Sequence, residues 1–240
     1  MLFNMKIMPY KDSSVEQCID GTHSLLRRLS EKEKEILIQH HAYANYKKGE
    51  VLLKEGEIPR GMICLVSGKV KVLKEGVGGR EQILRMVKPN GFIGYLTVFA
   101  DSPFNASAVA LEDSTICIFE KDSFLKVIRR NSDLALSLMK ALSVELGFSN
   151  DRTVSLTQKH IRGRIAESLL VLKDTYGYEN DGKTIRVYLS REDLASLSNM
   201  TTSNAIRTLS NLASEEIIAL EGRKIMILDF HKLEKISELG

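Results

Sequence analysis

Cysteine is scarce in this chain of 240 residues, which contains Cys18, Cys64 and Cys117 and no others. No two of them stand at the C-x-x-C spacing that is typical of zinc sites and redox motifs, so the sequence predicts neither kind of site. Cys64 and Cys117 lie in short apolar runs and are expected to be buried as small hydrophobic side chains. Cys18 lies in a polar segment, and the sequence leaves its role open.

The chain also lacks an apolar run that is long enough to span a bilayer. The stretch from Met1 to Tyr10 is interrupted by Asn4, Lys6 and Pro9, so it does not fit the apolar core of a signal peptide. We therefore expect a cytoplasmic protein with no membrane partner. Hydrophobic residues make up 43% of the chain, which is enough for a core in one or two domains.

The features that would indicate an enzyme are missing as well. The sequence contains no Ser/His/Asp or Cys/His arrangement, no paired carboxylates in an apolar setting and no metal-ligand spacing. Its histidines are scattered, and the adjacent His40 and His41 should point to different sides of their helix. We expect no catalytic residue and no metal site.

Short β-rich runs alternate with glycine turns between Tyr46 and Phe119, which predicts an antiparallel sandwich or roll. Before this region, a capping-box pattern at Ser30 and Glu33 predicts a helix from about Ser30 to His41. The run Glu75–Gly79 opens no helix, so it is interpreted as a hairpin turn rather than a phosphate-binding loop. The predicted strands are Val51–Leu53, Met62–Val66, Val70–Leu73, Gln82–Val87, Val109–Leu111 and Thr115–Phe119.

A long helix is predicted from Leu134 to about Thr157, where the sequence has no proline. At 1.5 Å per residue it would be about 36 Å long. Leucine recurs every fourth residue at Leu134, Leu138, Leu142 and Leu146. Such a stripe is too long to pack on a small roll alone, so we favour contact with the same helix of a second subunit. The alternative is burial against its own domain.

Residues 189–212 have the pattern of a helix-turn-helix. Ser190 and Asp193 fit a capping signature for the first helix. Asn199–Thr201 is predicted as the turn, and the second helix should run from Thr202 to about Ser214. We expect the inward face of the second helix to consist of Ala205, Ile206, Leu209 and Leu212. A preceding helix is predicted from Ile161 to about Asp174, and a short strand from Thr184 to Leu189.

The outward face of that second helix is predicted to be polar, with side chains that can read base edges or bond phosphates. Arg207 is the strongest candidate, because a guanidinium can bond a guanine edge in bidentate fashion. Ile217–Leu220 and Ile225–Leu228 should form a hairpin, or wing, with a basic tip. The alternative is a polar face that only contacts water. The predicted DNA-binding residues are Ser190, Thr201, Thr202, Ser203, Asn204, Arg207, Thr208, Asn211, Arg223 and Lys224.

Positive charge is low for such a function. The formal net charge is +3, and residues 160–240 carry 11 Lys and Arg against 12 Asp and Glu. A DNA-binding half would normally be basic. Bulk charge, however, governs non-specific affinity rather than fold, and a helix-turn-helix can concentrate its few positive groups on one face.

From about Ser24 to Phe230 the chain resembles the Crp/Fnr family of bacterial transcription regulators. The resemblance is carried by Gly49, Gly56, Gly68–Val70, Gly91–Gly94, Arg162–Ala166, Leu189–Ala195 and Ala205–Leu209. It implies an α+β protein with a jelly-roll-like antiparallel β-roll, a long dimerisation helix and a winged helix-turn-helix. The implied domains are an extension (1–23), a β-roll effector domain (24–130), a dimerisation helix (131–159) and a DNA-binding domain (160–240).

The resemblance also implies a homodimer that binds a two-fold DNA operator and contacts RNA polymerase. Arg207 falls on the base-reading arginine of the family. The cyclic-AMP-type members have Arg-Glu where Thr202 and Ser203 stand here, and the oxygen-sensing members have Ser where Ile206 stands. The operator should therefore differ from those of both groups. The competing hypothesis is a ligand-binding module that acts on a protein partner, which would have no need of residues 189–228.

The resemblance places an effector pocket at Gly94, Tyr95, Asn105, Ala106, Ser149 and Asn150. In cyclic-AMP binders, Glu stands at the position of Tyr95 and Arg-Ser at Asn105-Ala106. Without that guanidinium a buried phosphate lacks its main partner, so cyclic AMP is not expected to bind.

An iron–sulfur cluster needs four cysteines and is not expected either. A haem sensor stays open, as do other small molecules and the absence of any effector. The candidate axial ligands for haem are His23, His40, His41, His160, Met62 and Met86. If an effector binds, it should shift the population between two arrangements through a hinge at His160–Gly163.

Overall fold

The computed structural model describes residues 13–21 and 24–240. These residues form two compact units. The first runs from the first described residue to Glu75 and continues through Arg85–Glu145, and the second comprises Gly76–Leu84 and Leu146–Gly240. Most of the predicted N-terminal extension, residues 1–23, and the candidate haem ligand His23 lie outside the described residues.

A β-roll of two four-stranded sheets forms the centre of the first unit, in the strand orders β1-β8-β3-β6 and β2-β7-β4-β5. Strand β5 is divided, because its residues up to Leu84 belong to the second unit and those from Arg85 onward to the first. The registered pairs β1–β8, β3–β8, β3–β6, β2–β7 and β4–β7 are antiparallel, which confirms the predicted fold class. The strands are β1 (His41–Tyr46), β2 (Val51–Leu53), β3 (Gly61–Ser67), β4 (Val70–Glu75), β5 (Glu81–Val87), β6 (Phe92–Ile93), β7 (Ser107–Ala110) and β8 (Ser114–Glu120).

Strand β3 is buried on both of its faces from Gly61 to Val66. Since side chains alternate along a strand, Ile63 and Leu65 point to one face and Cys64 to the other. The first face belongs to an inner core that also contains residues of the second sheet, such as Val70. The second face joins an outer core, built with the helices, that contains Val15, Cys18, Ile19, Leu26, Leu29, Leu37, Met62, Cys64, Val66, Phe92, Tyr95, Cys117, Phe119, Phe124, Val127, Leu134 and Leu138.

The helices of the first unit supply the rest of that outer core. Ser30 caps the second helix, where its backbone N–H donates to Glu33 Oε2 over 2.8 Å, as the capping box predicted. The predicted end at His41 is wrong, because the helix ends at Gln39 and His41 begins β1. The helices are α1 (Ser13–Asp20), a 3-10 turn (Leu25–Arg28), α2 (Glu31–Gln39), α3 (Tyr95–Phe99), α4 (Lys121–Arg130) and the start of α5 (Ser132–Gln158).

Helix α5 has 27 residues and is therefore about 40 Å long. Asn131 caps it, since Asn131 Oδ1 accepts a hydrogen bond from Leu134 N over 2.8 Å. Leu134 and Leu138 are buried in the outer core of their own unit. The prediction that the whole leucine stripe faces a second subunit is therefore wrong for these two, whereas Leu146 is 63% exposed.

The cysteines depart furthest from the sequence-based expectation. Cys18 and Cys64 form a disulfide, with Cα atoms 6.4 Å apart, although 46 positions separate them in the chain. The absence of a C-x-x-C motif was misleading, because helix α1 packs on strand β3 and brings the two sulfur atoms together. Cys117 is a free, buried thiol, as expected.

The second unit contains the predicted helix-turn-helix and wing. The predicted strand Thr184–Leu189 is wrong, since this segment makes only the isolated bridges Thr184–Met226 and Ile185–Tyr178. Within the described ranges, none of the helices is both long and apolar enough to cross a membrane. The elements are the end of α5, α6 (Ile161–Tyr176), α7 (Arg191–Leu197), α8 (Thr202–Ser214), β9 (Ile218–Glu221), β10 (Lys224–Ile227) and α9 (Phe230–Leu239).

Candidate nucleic-acid interface

Helix α7 begins at a complete capping box. Ser190 Oγ accepts a hydrogen bond from Asp193 N over 3.0 Å and donates to Asp193 Oδ2 over 2.8 Å. The two side chains thus satisfy backbone donors that the first turn of a helix leaves free. Leu194, Ala195 and Leu197 are buried, so α7 is fixed in position by its apolar side.

The turn after α7 is tight and depends on one left-handed residue. Asn199 has a φ of 49°, a conformation that asparagine tolerates better than most residues. Met200 N donates to Ala195 O over 3.0 Å, and the Met200 side chain is buried. Thr201 then caps α8 by accepting a hydrogen bond from Asn204 N over 3.3 Å. The predicted turn and cap are both confirmed.

The two faces of α8 differ from the prediction at two positions. Thr208, expected on the outward face, is only 5% exposed, and Ile206, expected inward, is 47% exposed. The reason is helical geometry: Thr208 lies three residues after Ala205 and four before Leu212, on the same buried stripe. Ile206 lies one residue after Ala205 and is turned about 100° away from that stripe.

The exposed face of α8 holds half of the ten predicted DNA-binding side chains. Ser203, Arg207 and Asn211 are exposed, and Thr202 and Asn204 are partly exposed. Arg207 Nη2 donates to Asn204 Oδ1 over 2.9 Å, one turn earlier on the same helix. The asparagine thus restricts the directions in which the guanidinium can point, while leaving its remaining N–H groups free to bind a ligand.

The wing stands beside this helix pair. Strands β9 and β10 are antiparallel, with Ile218 opposite Ile227 at one end and Glu221 opposite Lys224 at the other. Gly222 at the tip has a positive φ of 57°, and every tip residue from Glu221 to Lys224 is exposed. Arg191 Nη2, at the start of α7, donates to Gly222 O over 2.9 Å. This bond ties the tip to the helix-turn-helix, so Arg223 and Lys224 are presented from an anchored loop.

Two arginines that the sequence analysis did not single out hold the end of α7 and the turn. Arg164 Nη1 donates to Leu156 O over 3.2 Å and to Asn199 O over 2.7 Å. Arg152 Nη2 donates to Leu197 O over 2.6 Å and to Ile83 O over 3.0 Å. Burial lowers the pKa of both guanidinium groups from their ordinary value. The carbonyl oxygens accept from one nitrogen of each group, whereas Arg164 Nε is buried without a hydrogen-bond partner.

A third arginine fixes the far end of α8. Arg162 forms a two-pronged ion pair with Glu215, with N···O distances of 2.6 and 2.5 Å. The bonds to Glu215 raise the pKa of Arg162, and the bonds to Arg162 lower the pKa of Glu215. Because Glu215 follows α8 directly, this pair ties the end of that helix to the start of α6.

Ser196 on α7 binds the segment Gly76–Leu84, which belongs to the same unit. Its hydroxyl accepts from Ile83 N over 2.9 Å and donates to Glu81 O over 2.9 Å. Gln82 Nε2 donates to Ser196 O over 2.5 Å. No sequence signal could have indicated these contacts, because they join positions more than a hundred residues apart.

The predicted effector-pocket residues are divided between the two units. In the first unit, Tyr95 and Ala106 are buried and Asn105 is exposed. A side chain at Gly94 would clash with Phe104, whose Cε1 atom lies 2.5 Å from the position of a Cβ. Ser149 and Asn150, in the second unit, are both exposed on α5.

The candidate haem ligands within the described residues differ in exposure. Met62 is fully buried and Met86 nearly so. His40 and His160 are exposed, and His41 is partly exposed. Among the residues that the structure describes, no three His, Cys, Asp or Glu side chains form a group that could hold a metal ion.

The arrangement as a whole is that of a winged helix-turn-helix. This class of domain presents its second helix to the major groove of DNA. Residues 163–236 match the family described as a Crp-like helix-turn-helix domain, and residues 43–131 match the cyclic nucleotide-binding domain family. Together the two matches span about two thirds of the chain, in the order that the structure has.

Several known regulators are similar to this chain along most of their length. The CRP-like cAMP-activated global transcriptional regulator of Mycobacterium tuberculosis is 26% identical over 80% of this chain and 86% of its own. The anaerobic regulatory protein of Bacillus subtilis is 25% identical over 93% and 90%. The solved structure of FixK2 from Bradyrhizobium japonicum shares the fold with a TM-score of 0.74 at 22% identity, over 82% of this chain and 96% of that one.

The chain therefore belongs to the Crp/Fnr family of bacterial transcription regulators, as its sequence resemblance indicated. It is a DNA-binding regulator and not an enzyme.

The arginine anchor of the turn can be tested by mutation. We expect Arg164→Ala to lower the free energy of unfolding of the second unit by about 2–3 kcal/mol, because the carbonyls of Leu156 and Asn199 lose a charged donor. Urea denaturation followed by circular dichroism measures the change. Arg164→Lys, which keeps the charge and one donor direction, should lower the free energy of unfolding by less. Arg223→Ala, at the exposed wing tip, should change stability by no more than about 0.5 kcal/mol. Equal losses for Arg164→Ala and Arg223→Ala would contradict the anchoring role.

Proposed function

We propose that the protein is a homodimer that binds a two-fold DNA operator through α8 and the wing and regulates transcription through RNA polymerase. The observation that carries this proposal is the exposed polar face of α8, on which Arg207 is oriented by Asn204. A cytoplasmic location belongs to the same proposal, because the regulator must act where the chromosome is. The functional domains follow the predicted boundaries: β-roll effector domain 24–130, dimerisation helix 131–159 and DNA-binding domain 160–240.

Base reading is assigned to the exposed side of α8. Arg207 would bond a guanine, and Ser203, Asn204 and Asn211 lie on the same exposed side of the helix. Thr208 is left out of this set, because it is buried and cannot reach a base.

The phosphates of the DNA backbone would be bound by the N-terminal ends of α7 and α8 and by the wing, not by the base-reading face of α8. Ser190, Thr201 and Thr202 lie at the N-terminal ends of α7 and α8, where backbone N–H groups favour anions. Arg223 and Lys224 at the wing tip would supply positive charge. These contacts set the register of the protein on the duplex and carry little sequence information.

The low charge of this half makes specificity depend on few groups. Residues 160–240 carry 11 basic against 12 acidic side chains. Two of the acidic side chains near α8 and the wing are paired within the protein, Glu215 with Arg162 and Glu221 with Lys224. Non-specific affinity should therefore be modest and salt-dependent, and recognition should rest on Arg207 and on dimerisation.

A DNA-selection experiment with the purified full-length chain tests the reading residues. The unaltered protein should enrich a two-fold motif. Arg207→Ala should relax the preference at one base pair in each half-site, a loss of about 1–3 kcal/mol of discrimination. Arg223→Ala is the matched control: it should weaken binding to all sequences and leave the motif unchanged. Enrichment of no motif by the unaltered protein would instead favour a module that acts on a protein partner.

The exposed apolar side of α5 supports a dimer. Leu136, Met139 and Leu146 are 59%, 53% and 63% exposed, and with Ser143 between them they follow the alternating three- and four-residue spacing of a coiled-coil seam. This seam shares Leu146 with the leucine stripe at every fourth residue. The other residues of the seam differ from that stripe, whose first members are buried against the roll. Val144, Phe148 and Val154 are further exposed apolar side chains on the same helix. A partner helix would remove this surface from water.

Sedimentation velocity tests the seam. Leu146→Glu places a charge within the apolar stripe, where burial against a partner would cost several kcal/mol, so the dimer should dissociate to monomers. Ile58→Glu is the control, because Ile58 is 79% exposed in a loop outside α5. It should sediment as a dimer. A monomer for the unaltered protein, or dimers for both variants, would exclude this interface.

We propose further that cyclic AMP is not the effector. Tyr95 and Asn105 stand where the binders of the family carry Glu and Arg. Arg85 lies over the ring of Tyr95 at 5.3 Å, but its charge and donors are already engaged. It ion-pairs with Glu145 over 3.2 Å and donates to Phe92 O over 2.8 Å. A cyclic phosphate would have to displace Glu145 to gain a charged partner.

Isothermal titration with cyclic AMP checks this second proposal. We expect no binding heat and no change in operator affinity at saturating nucleotide, because Asn105 replaces the arginine of the binders and Arg85 is already paired with Glu145. The cAMP-activated regulator from Mycobacterium tuberculosis, titrated in the same buffer, serves as the positive control. A dissociation constant on the order of micromolar for this chain would show that another group replaces the missing arginine.

A further inference from the structure

All three cysteines of the chain meet in the outer core of the first unit. Cys18 comes from α1, Cys64 from β3 and Cys117 from β8, and none has any exposed surface. Cys64 and Cys117 are direct partners in the antiparallel register of β3 and β8, so their side chains lie on the same face of the sheet. Cys64 is bonded to Cys18 rather than to Cys117.

The disulfide is the covalent attachment of α1 to the roll. Without it, this helix of eight residues would be held by the burial of Val15, Cys18 and Ile19 and by an ion pair between Asp20 and Lys34 at 2.9 Å. A helix this short is not stable by itself in water. Local detachment of this helix would expose Cys18 and uncover Cys64.

The compartment in which the protein works determines whether a disulfide is expected to be permanent or reversible. The proposed function places the chain with the chromosome, in a compartment where thiols are kept reduced. Disulfides there are mostly transient and respond to redox conditions, whereas permanent structural ones are typical of secreted proteins.

We propose that Cys18 and Cys64 form a reversible thiol–disulfide site whose reactants are low-molecular-weight disulfides and thiols. Oxidation fastens α1 to the roll and reduction releases it. The operator-binding part of the proposal and the choice of a reversible bond rest on the proposed function, whereas the pairing of Cys18 with Cys64 does not.

The reaction proceeds through exchange at sulfur and needs only these reactants. With α1 detached, the Cys18 thiolate attacks a low-molecular-weight disulfide, RSSR, which forms a mixed disulfide and expels one RS⁻. The Cys64 thiolate then attacks the Cys18 sulfur and expels the second RS⁻. The two cysteine thiols lose two electrons and two protons in total, and one RSSR becomes two RSH. Two RSH molecules reverse the reaction.

Cys117 is kept out of this exchange by its surroundings. Burial raises the pKa of its thiol to about 12, and a hydrogen bond with Tyr43 only partly offsets that effect. The thiolate is the reacting species, so Cys117 is unreactive near neutral pH even beside the disulfide. The site therefore has one preferred pairing although three sulfur atoms share the core.

The same core connects the site to the long helix. Leu134 and Leu138, in the first turns of α5, belong to the apolar cluster that contains Cys18 and Cys64. Fastening or releasing α1 changes what covers this cluster, and so changes the packing of the base of α5. This is the physical route by which the redox state would reach the dimer helix.

The site itself is tested on the full-length chain in buffers of oxidised and reduced glutathione. Peptide mass spectrometry after alkylation should find the Cys18–Cys64 bond in the oxidised protein and in Cys117→Ser, and no disulfide in Cys18→Ser or Cys18→Ala. Hydrogen exchange in a peptide covering Ser13–Asp20 should be slower after oxidation. Exchange that is equal in both states, or a dominant Cys64–Cys117 bond, would overturn the proposal.

Operator binding is measured on the motif selected with the unaltered protein. Oxidised and reduced forms should differ in affinity by about fivefold or more, the lower end of usual allosteric coupling, and Cys18→Ser should show no difference. Equal affinities in both states would remove the regulatory part of the proposal. If neither form binds any selected DNA, the proposed DNA recognition fails, and the alkylation and exchange results still decide the redox site.

Discussion

The double burial of strand β3 is the constraint on which the first unit depends. A strand with apolar residues on both faces must be covered twice, once by a second sheet and once by helices. The second cover is assembled from helices that lie far apart in the chain, α1, α2, α4 and the start of α5. One consequence is that Leu134 and Leu138, in the first turns of the long helix α5, are buried against the roll. Its remaining exposed apolar residues are the ones available to a second subunit.

The DNA-binding unit has its own apolar core, which includes Leu169, Leu194 and Leu209, and adds charged hydrogen bonds to it. Arg152 and Arg164 bind main-chain oxygens at the end of α7 and in the turn, and Arg162 holds the residue that follows α8. Each guanidinium offers several donors in a fixed plane, so one side chain can join two backbone segments. In a half of the chain that is nearly neutral, several of the arginines thus support the fold, and Arg207 is left for recognition.

Local sequence patterns predicted the local structure well. The capping boxes at Ser30 and Ser190 and the turn at Asn199 depend on neighbouring residues, and all three are present. Strand β1 was missed because His41–Tyr46 contains few strongly apolar side chains and is fixed by pairing with β8. The predicted faces of α8 were wrong for Ile206 and Thr208. The prediction followed the hydrophobicity of each residue, whereas its position around the helix axis determines whether it is buried. The disulfide and the arginine hydrogen bonds could not be predicted from the sequence, since they join positions that only the tertiary fold brings together.

The hydrogen bond between Arg207 and Asn204 has a consequence for how target choice can change during evolution. The two side chains lie one helical turn apart and share a hydrogen bond, so under the proposed function they would act as one recognition unit. Replacing the asparagine would release the arginine to other rotamers and alter its preference even with the arginine retained. Duplicated copies of such a regulator would therefore acquire new operators by changing the pair together, and single substitutions at either position would first pass through a poorly discriminating intermediate.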